Sequence, residues 1–149
     1  MLAFAASAMA SNQTTQSVSY SVSAINEIGA SGDPAALSVT TCAAGSDPAE
    51  VTNALTTYSF STNGTNKKIT AALNSNVASG LTLKINMAAP PSGVSAGDVT
   101  LTTDAANAVT SIDTEAASAK TITYKFSATM AAGVISSTSK TVTLTLTDG

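Results

Sequence analysis

Residues 120–130 read KTITYKFSATM. Ile122, Tyr124, Phe126, Ala128 and Met130 are apolar or small, and polar residues stand between them. Successive side chains of a strand point to opposite faces, so the alternation predicts one face for a core and one for solvent. The same pattern recurs outward from this stretch. Residues 140–148, KTVTLTLTD, place Val142, Leu144 and Leu146 on one face. Residues 80–87, GLTLKINM, do so with Leu81, Leu83, Ile85 and Met87, and Pro90-Pro91 ends the run. Val99 and Leu101 follow a Gly-containing loop, and Val109–Ile112 reads as a short strand.

Upstream, residues 56–73, TTYSFSTNGTNKKITAAL, predict a hairpin. Tyr58 and Phe60 go out on one face, Ile69, Ala71 and Leu73 return, and Asn63-Gly64 supplies the turn. Gly32-Asp33-Pro34 punctuates the chain before a second strand, Leu37–Thr41, in which Leu37 and Val39 alternate with polar residues. Asp47-Pro48 with Glu50 fits either the start of a short helix carrying Val51, Ala54 and Leu55, or a plain loop. Together these segments give about eight or nine strands at spacings near ten residues, which signals an all-β antiparallel sandwich, Ig-like or jelly-roll. A closed barrel is the lesser alternative. A Cys…Trp…Cys set of the antibody type is absent, since the chain has one Cys and no Trp.

Composition narrows the function. Charged residues are 10% of the 149, against about 25% in ordinary soluble domains. All six basic residues are Lys, and only Lys67 and Lys68 are adjacent. Nucleic acid and anionic membrane surfaces are recognised by clustered basic residues, so neither is an expected partner. There is no His, the usual proton carrier near neutral pH. The net charge of −3 gives weak repulsion between copies of the chain.

Candidate chemistry is sparse. Asp98, Asp104, Asp113 and Glu115 lie close in sequence and would reach one end of a sandwich. A Ca²⁺ ion takes six to eight oxygens, but the alternating-acid spacing of a calcium loop is missing. A glycosidase carboxylate pair would use the same residues, but few aromatics are present to bind sugar. Cys42 reads as a small buried residue, and its sharper reading is a disulfide to another subunit. Lys84 and Lys125 stand at outward positions, which argues against an isopeptide cross-link to a buried acid. Asn12 and Asn63 match the glycosylation pattern, a match expected by chance in so Ser/Thr/Asn-rich a chain. The expectation is a protein that is not an enzyme and uses no metal or cofactor.

The N-terminus carries the remaining signal. Residues 1–10, MLAFAASAMA, read as a signal-peptide remnant, with Ala8-Met9-Ala10 as the cleavage pattern, and residues 11–149 read as one domain. This predicts a secreted or cell-surface protein that meets a membrane only during export. Residues 16–27 then read QSVSYSVSAINE, with Val18, Tyr20, Val22 and Ala24 on one face. The strand carries no charge before Glu27 and no Pro, so it lacks the usual protection of a sheet edge. Strand 16–28 either pairs within its own domain or is donated to a neighbour by β-augmentation. Head-to-tail donation would make a filament.

Five stretches resemble a group of exported bacterial β-proteins with no established activity: VSAINEI (22–28), TTYSFSTNGTNKKITAAL (56–73), SAGDVTLTT (95–103), ITYKFSATMAAGV (122–134) and KTVTLTLTD (140–148). In general character the chain also resembles subunits of extracellular filaments built by donor-strand complementation. That likeness rests on the leader, low charge, Thr/Ser-rich strands and free N-terminal strand, and carries no site residue over. It implies a structural subunit whose partners are copies of itself, with Val18, Tyr20, Val22 and Ala24 as the self-assembly strand. The alternative is a monomeric surface binding module, an adhesin or carbohydrate-binding sandwich using its end loops.

Overall fold

The computed structural model describes residues 12–149, so the leader expected at 1–10 lies outside the described residues. The strands are β1 (Asn26–Ala30), β2 (Val51–Thr62), β3 (Lys67–Leu73), β4 (Leu81–Met87), β5 (Val94–Ser95), β6 (Val99–Thr100), β7 (Ala106–Ile112), β8 (Glu115–Ala128) and β9 (Val142–Asp148). They form two antiparallel sheets, a five-stranded one ordered β1-β2-β8-β4-β6 and a four-stranded one ordered β5-β7-β3-β9. No α-helix occurs among the described residues. The fold is all-β, as the alternation requires.

The inward positions named from sequence are the core. Tyr58, Phe60, Ile85, Met87 and Ile122 from one sheet are buried with Ile69, Ala71, Val109 and Ile112 from the other. The Tyr58 and Phe60 rings stack with centroids 6.2 Å apart. Tyr58 donates its hydroxyl to the Ala88 carbonyl at 2.6 Å, which satisfies its one polar atom. Thr56 and Thr62 are also buried, and their hydroxyls reach the Ile122 carbonyl and the Asn26 side chain.

Three expectations need correction. First, residues 56–73 are not a hairpin. β2 lies in the five-stranded sheet and β3 in the four-stranded one. Residues 63–66 carry the chain from sheet to sheet, and Asn66 rather than Gly64 takes the positive φ, at 50°. The 113–114 link between β7 and β8 makes a second crossing beside it, and the Asp113 carboxylate accepts the Asn66 N–H at 3.1 Å. A hairpin turn returns a strand to its own neighbour. Here the hydrogen bonds of the turn go to another loop, so the second arm lands on the opposite sheet.

Second, Leu37–Thr41 makes no strand, and residues 31–50 contain none. Leu37 and Val39 are half-buried and the residues beside them exposed, so the alternation is present without a ladder partner. Third, Asp47–Leu55 is not helical. Val51 begins β2, and a bulge between Asn53 and Thr56 leaves Leu55 82% exposed. Asp47 instead accepts the Met130 N–H at 2.8 Å.

The two ends of the molecule differ. One end, the crossing end, holds the 63–66 and 113–114 links and the C-terminal Gly149, whose N–H donates to the Asn66 carbonyl at 2.7 Å. The other, the open end, holds the start of β2, the end of β8 (Ala128 opposite Leu81) and the start of β9 (Val142 opposite Leu73).

Candidate functional site

Burial fades along β8 toward the open end. Ile122 is 1% exposed and Tyr124 8%, while Phe126 and Ala128 on the same face are only half-buried. Leu81 and Leu83 opposite them behave likewise, although Ile85 and Met87 on the same strand are fully buried. The apolar alternation continues, but its cover does not. β1 pairs with β2 only as far as Ala30 opposite Tyr58, and β2 continues to Val51 without it. β9 ends the order of its sheet, so among the described residues no strand pairs with its other edge.

The result is a groove of about 1650 Å³ whose walls include Ile28, Leu37, Leu83, Phe126, Val142 and Leu144. Its flanks are residues 28–39 on one side and 133–144 on the other. Most of both flanks is irregular backbone, and the exception on the second flank is the start of β9.

The N-terminal segment has the complementary character. Residues 17–25 form no strand, which corrects the expectation of one continuous strand over 16–28; only Asn26–Ala30 pairs, with β2. Val18 is 80% exposed, Tyr20 94% and Val22 79%, and Ala24 is exposed as well. Ile28, an even-numbered residue like these, is half-buried and packs on the core opposite Phe60. So the face that β1 turns inward continues by parity into Val22, Tyr20 and Val18, where the domain gives it nothing to bury against.

Asn63 fixes where this arm leaves. Its Oδ1 accepts the Ile25 N–H at 2.8 Å, its Nδ2 donates to the Ser23 carbonyl at 2.8 Å, and its own N–H donates to the Ile25 carbonyl at 3.2 Å. The arm is therefore rooted at the crossing end, and none of residues 12–25 lines the groove. Sequence reading assigned Asn63 to a turn and missed this grip. A side-chain clamp on a segment 40 residues away leaves no local signal. The groove was missed for a related reason: Leu83 and Phe126 look like ordinary core residues when the covering strand is assumed present.

The four loop acids do not converge. Asp98 accepts from Asn86 at 2.7 Å and Lys125 at 2.6 Å, Glu115 accepts the Ser92 N–H at 3.1 Å and the Ser92 hydroxyl, and Asp113 caps Asn66. Asp104 is occupied through its backbone, with Thr102. No group of three or more potential metal ligands occurs among the described residues. The Asn86 and Lys125 hydrogen bonds hold the Asp98 carboxyl below the usual range, and Asp98 in turn raises Lys125. A lysine held protonated is a poor nucleophile, so the Asn86–Asp98–Lys125 trio works as an ion-paired surface network, as does Lys84 with Glu50 at 3.1 Å. Cys42 is exposed, which corrects the buried reading.

No family model, no curated protein and no solved structure matches this chain.

Proposed function

We propose that this protein is a structural subunit of an extracellular or cell-surface filament, and that it self-assembles by β-strand complementation. We take its two sheets as an antiparallel β-sandwich from which one strand's worth of cover is missing. The observation that carries this reading is a pairing of surplus and deficit on one chain. An arm with Val18, Tyr20 and Val22 exposed on alternate positions leaves the domain, and the same domain keeps a groove with apolar walls that includes the start of β9, the end strand of its sheet.

The energetics favour the match. Burying a Val or similar side chain contributes about 1.5–3 kcal/mol, so three inserted side chains offset a substantial part of the cost of association. Ladder bonds to β9 would satisfy backbone groups that the arm and the edge otherwise leave to water. Ala24, nearest the root, would sit at the mouth. The monomeric binding module is the weaker reading, because it leaves the exposed alternation of the arm without a role.

The test is oligomeric state. The chain from residue 11 onward should form linear polymers visible by electron microscopy and light scattering. Tyr20→Asp with Val22→Asp should give monomers with an unfolding midpoint close to that of the parent subunit, since the two side chains are 94% and 79% exposed in their own domain. A parent chain that stays monomeric at high concentration refutes the proposal.

A further inference from the structure

We infer that the arm adds to β9 in antiparallel orientation and comes from a second copy whose crossing end abuts the open end of the first. This rests on the strand-complementation reading and specifies its edge, its direction and the order of the subunits.

β9 runs from Val142 at the open end to Asp148 at the crossing end, as its pairing with Leu73 through Lys67 shows. The groove is lined by the open-end half of the molecule: Leu81, Ala128 and Val142 belong to it, while Thr62, Lys67 and Glu115 do not. The arm is rooted at the opposite end, where Asn63 holds Ser23 and Ile25. An arm that stays with its own domain must fold back from the crossing end toward the open end. Its N-terminus would then lie nearest Val142, and it would run parallel to β9. That path also demands a sharp reversal at Ser23–Asn26, the residues that Asn63 and the start of β1 hold in place.

An arm from a second copy meets neither obstacle. It continues out of the donor's crossing end and enters the acceptor at the open end, Val22 first beside the start of β9 and Val18 deeper. Chain direction is then opposite to β9. Residues directly opposite in an antiparallel pair share a face, so Val18, Tyr20 and Val22 can point inward with Val142, Leu144 and Leu146 while the serines between them point outward with Thr143 and Thr145. Val142, Leu144 and Leu146 are half-buried, and Thr143 and Thr145 exposed, which matches that division. Every strand pairing among the described residues is antiparallel too. The interface joins two different surfaces of identical copies, so repetition gives a polar chain with an unfilled groove at one end and a free arm at the other.

Disulfide mapping tests this. In a Cys42→Ser background, Ser19→Cys or Ser21→Cys is combined with Thr143→Cys or Thr145→Cys, and the oxidised products are run on a non-reducing gel. All four positions are exposed, so the variants should fold as the parent does. Opposed Cys residues in a strand pair lie within disulfide reach. Antiparallel exchange predicts ladders of covalent multimers, with the preferred acceptor moving from Thr143 toward Thr145 as the donor moves from Ser21 to Ser19. The reverse order, or polymers that never cross-link to β9, would each overturn the inference while leaving strand complementation standing, whereas cross-linking confined to monomers would overturn both. Absence of any polymer in the parent chain would instead remove the reading beneath it.

Discussion

Asn63 and Ile25 are joined by two hydrogen bonds. The Asn63 Oδ1 accepts the Ile25 N–H at 2.8 Å, and the Asn63 N–H donates to the Ile25 carbonyl at 3.2 Å. The first is a side chain standing in for a strand. It carries the β1–β2 pairing one step past Thr62 and then stops it, because a side chain offers no further ladder. Seven residues upstream Val18 is already 80% exposed. The pair therefore marks the boundary between the strand that β2 pairs and the segment in which Val18, Tyr20 and Val22 are exposed.

Replacing Asn63 should loosen that boundary without disturbing the core. Asn63→Ala removes the side-chain bonds to Ile25 and Ser23, each contributing about 0.5–1.5 kcal/mol at most in so exposed a place. Amide hydrogen exchange should show faster exchange at Ile25, with Ile69 and Ile122 unchanged. Asn63→Asp keeps the acceptor and loses the donor, so protection at Ile25 should survive. Equal loss at Ile25 in both variants would show that the side chain is not what holds it.

How far the sequence reveals this arrangement depends on whether a residue's partner is near or distant. β4, β8 and β9 are legible because alternation alone defines a strand with one buried face, and Ile85, Ile122 and Leu144 all turn inward as that rule requires. Position in a sheet is another matter. Tyr58–Leu73 has the pattern of a hairpin, yet the bonds that decide its path run from Asn66 to Asp113 and from Thr62 to Asn26. Leu37 and Val39 show the reverse failure. Their alternation is real, but alternation records which side faces apolar surface and not whether a neighbour supplies the ladder. The groove is invisible from sequence because it is an absence, detectable only when Phe126 and Leu83 are found less buried than their pattern demands.

Alkaline unfolding should report on Tyr58. Burial, with a smaller effect from the Glu115 charge, pushes its phenol from 10.0 up to about 12. The folded state thus favours the neutral phenol, and the unfolded chain ionises first. That preference is fully present below pH 10 and is lost as pH rises toward 12. Tyr58→Phe cannot ionise. It should lose about 1 kcal/mol at pH 7, the hydroxyl bond to Ala88, and should show a flatter decline at high pH. The gap between the urea midpoints of the two proteins should therefore close and then reverse between pH 10 and 12. A gap that stays constant over that range would mean the phenol does not titrate on unfolding.

Gly80 sits at the open end, next to Leu81, which lines the groove. Its φ is +79°, and a Cβ there would lie 2.7 Å from the Ala132 backbone nitrogen. The contact is backbone on backbone, so no side-chain rotation relieves it. The Gly80 carbonyl also accepts the Thr129 N–H at 2.8 Å, which ties the turn before β4 to the end of β8. Gly80→Ala combines strain of about 1–3 kcal/mol from the left-handed backbone with displacement of residues 129–133. Those residues include part of the groove's flank. The expected outcome is a lower urea midpoint, and the strand-complementation proposal adds a disproportionate fall in polymer yield, because on that proposal the subunit must both fold and keep the groove at its proper width. The distinction can be measured by restoring stability with an osmolyte at constant protein concentration. Folding should recover, while assembly should remain impaired if the rim has moved. Full recovery of both would show that Gly80 serves the fold alone.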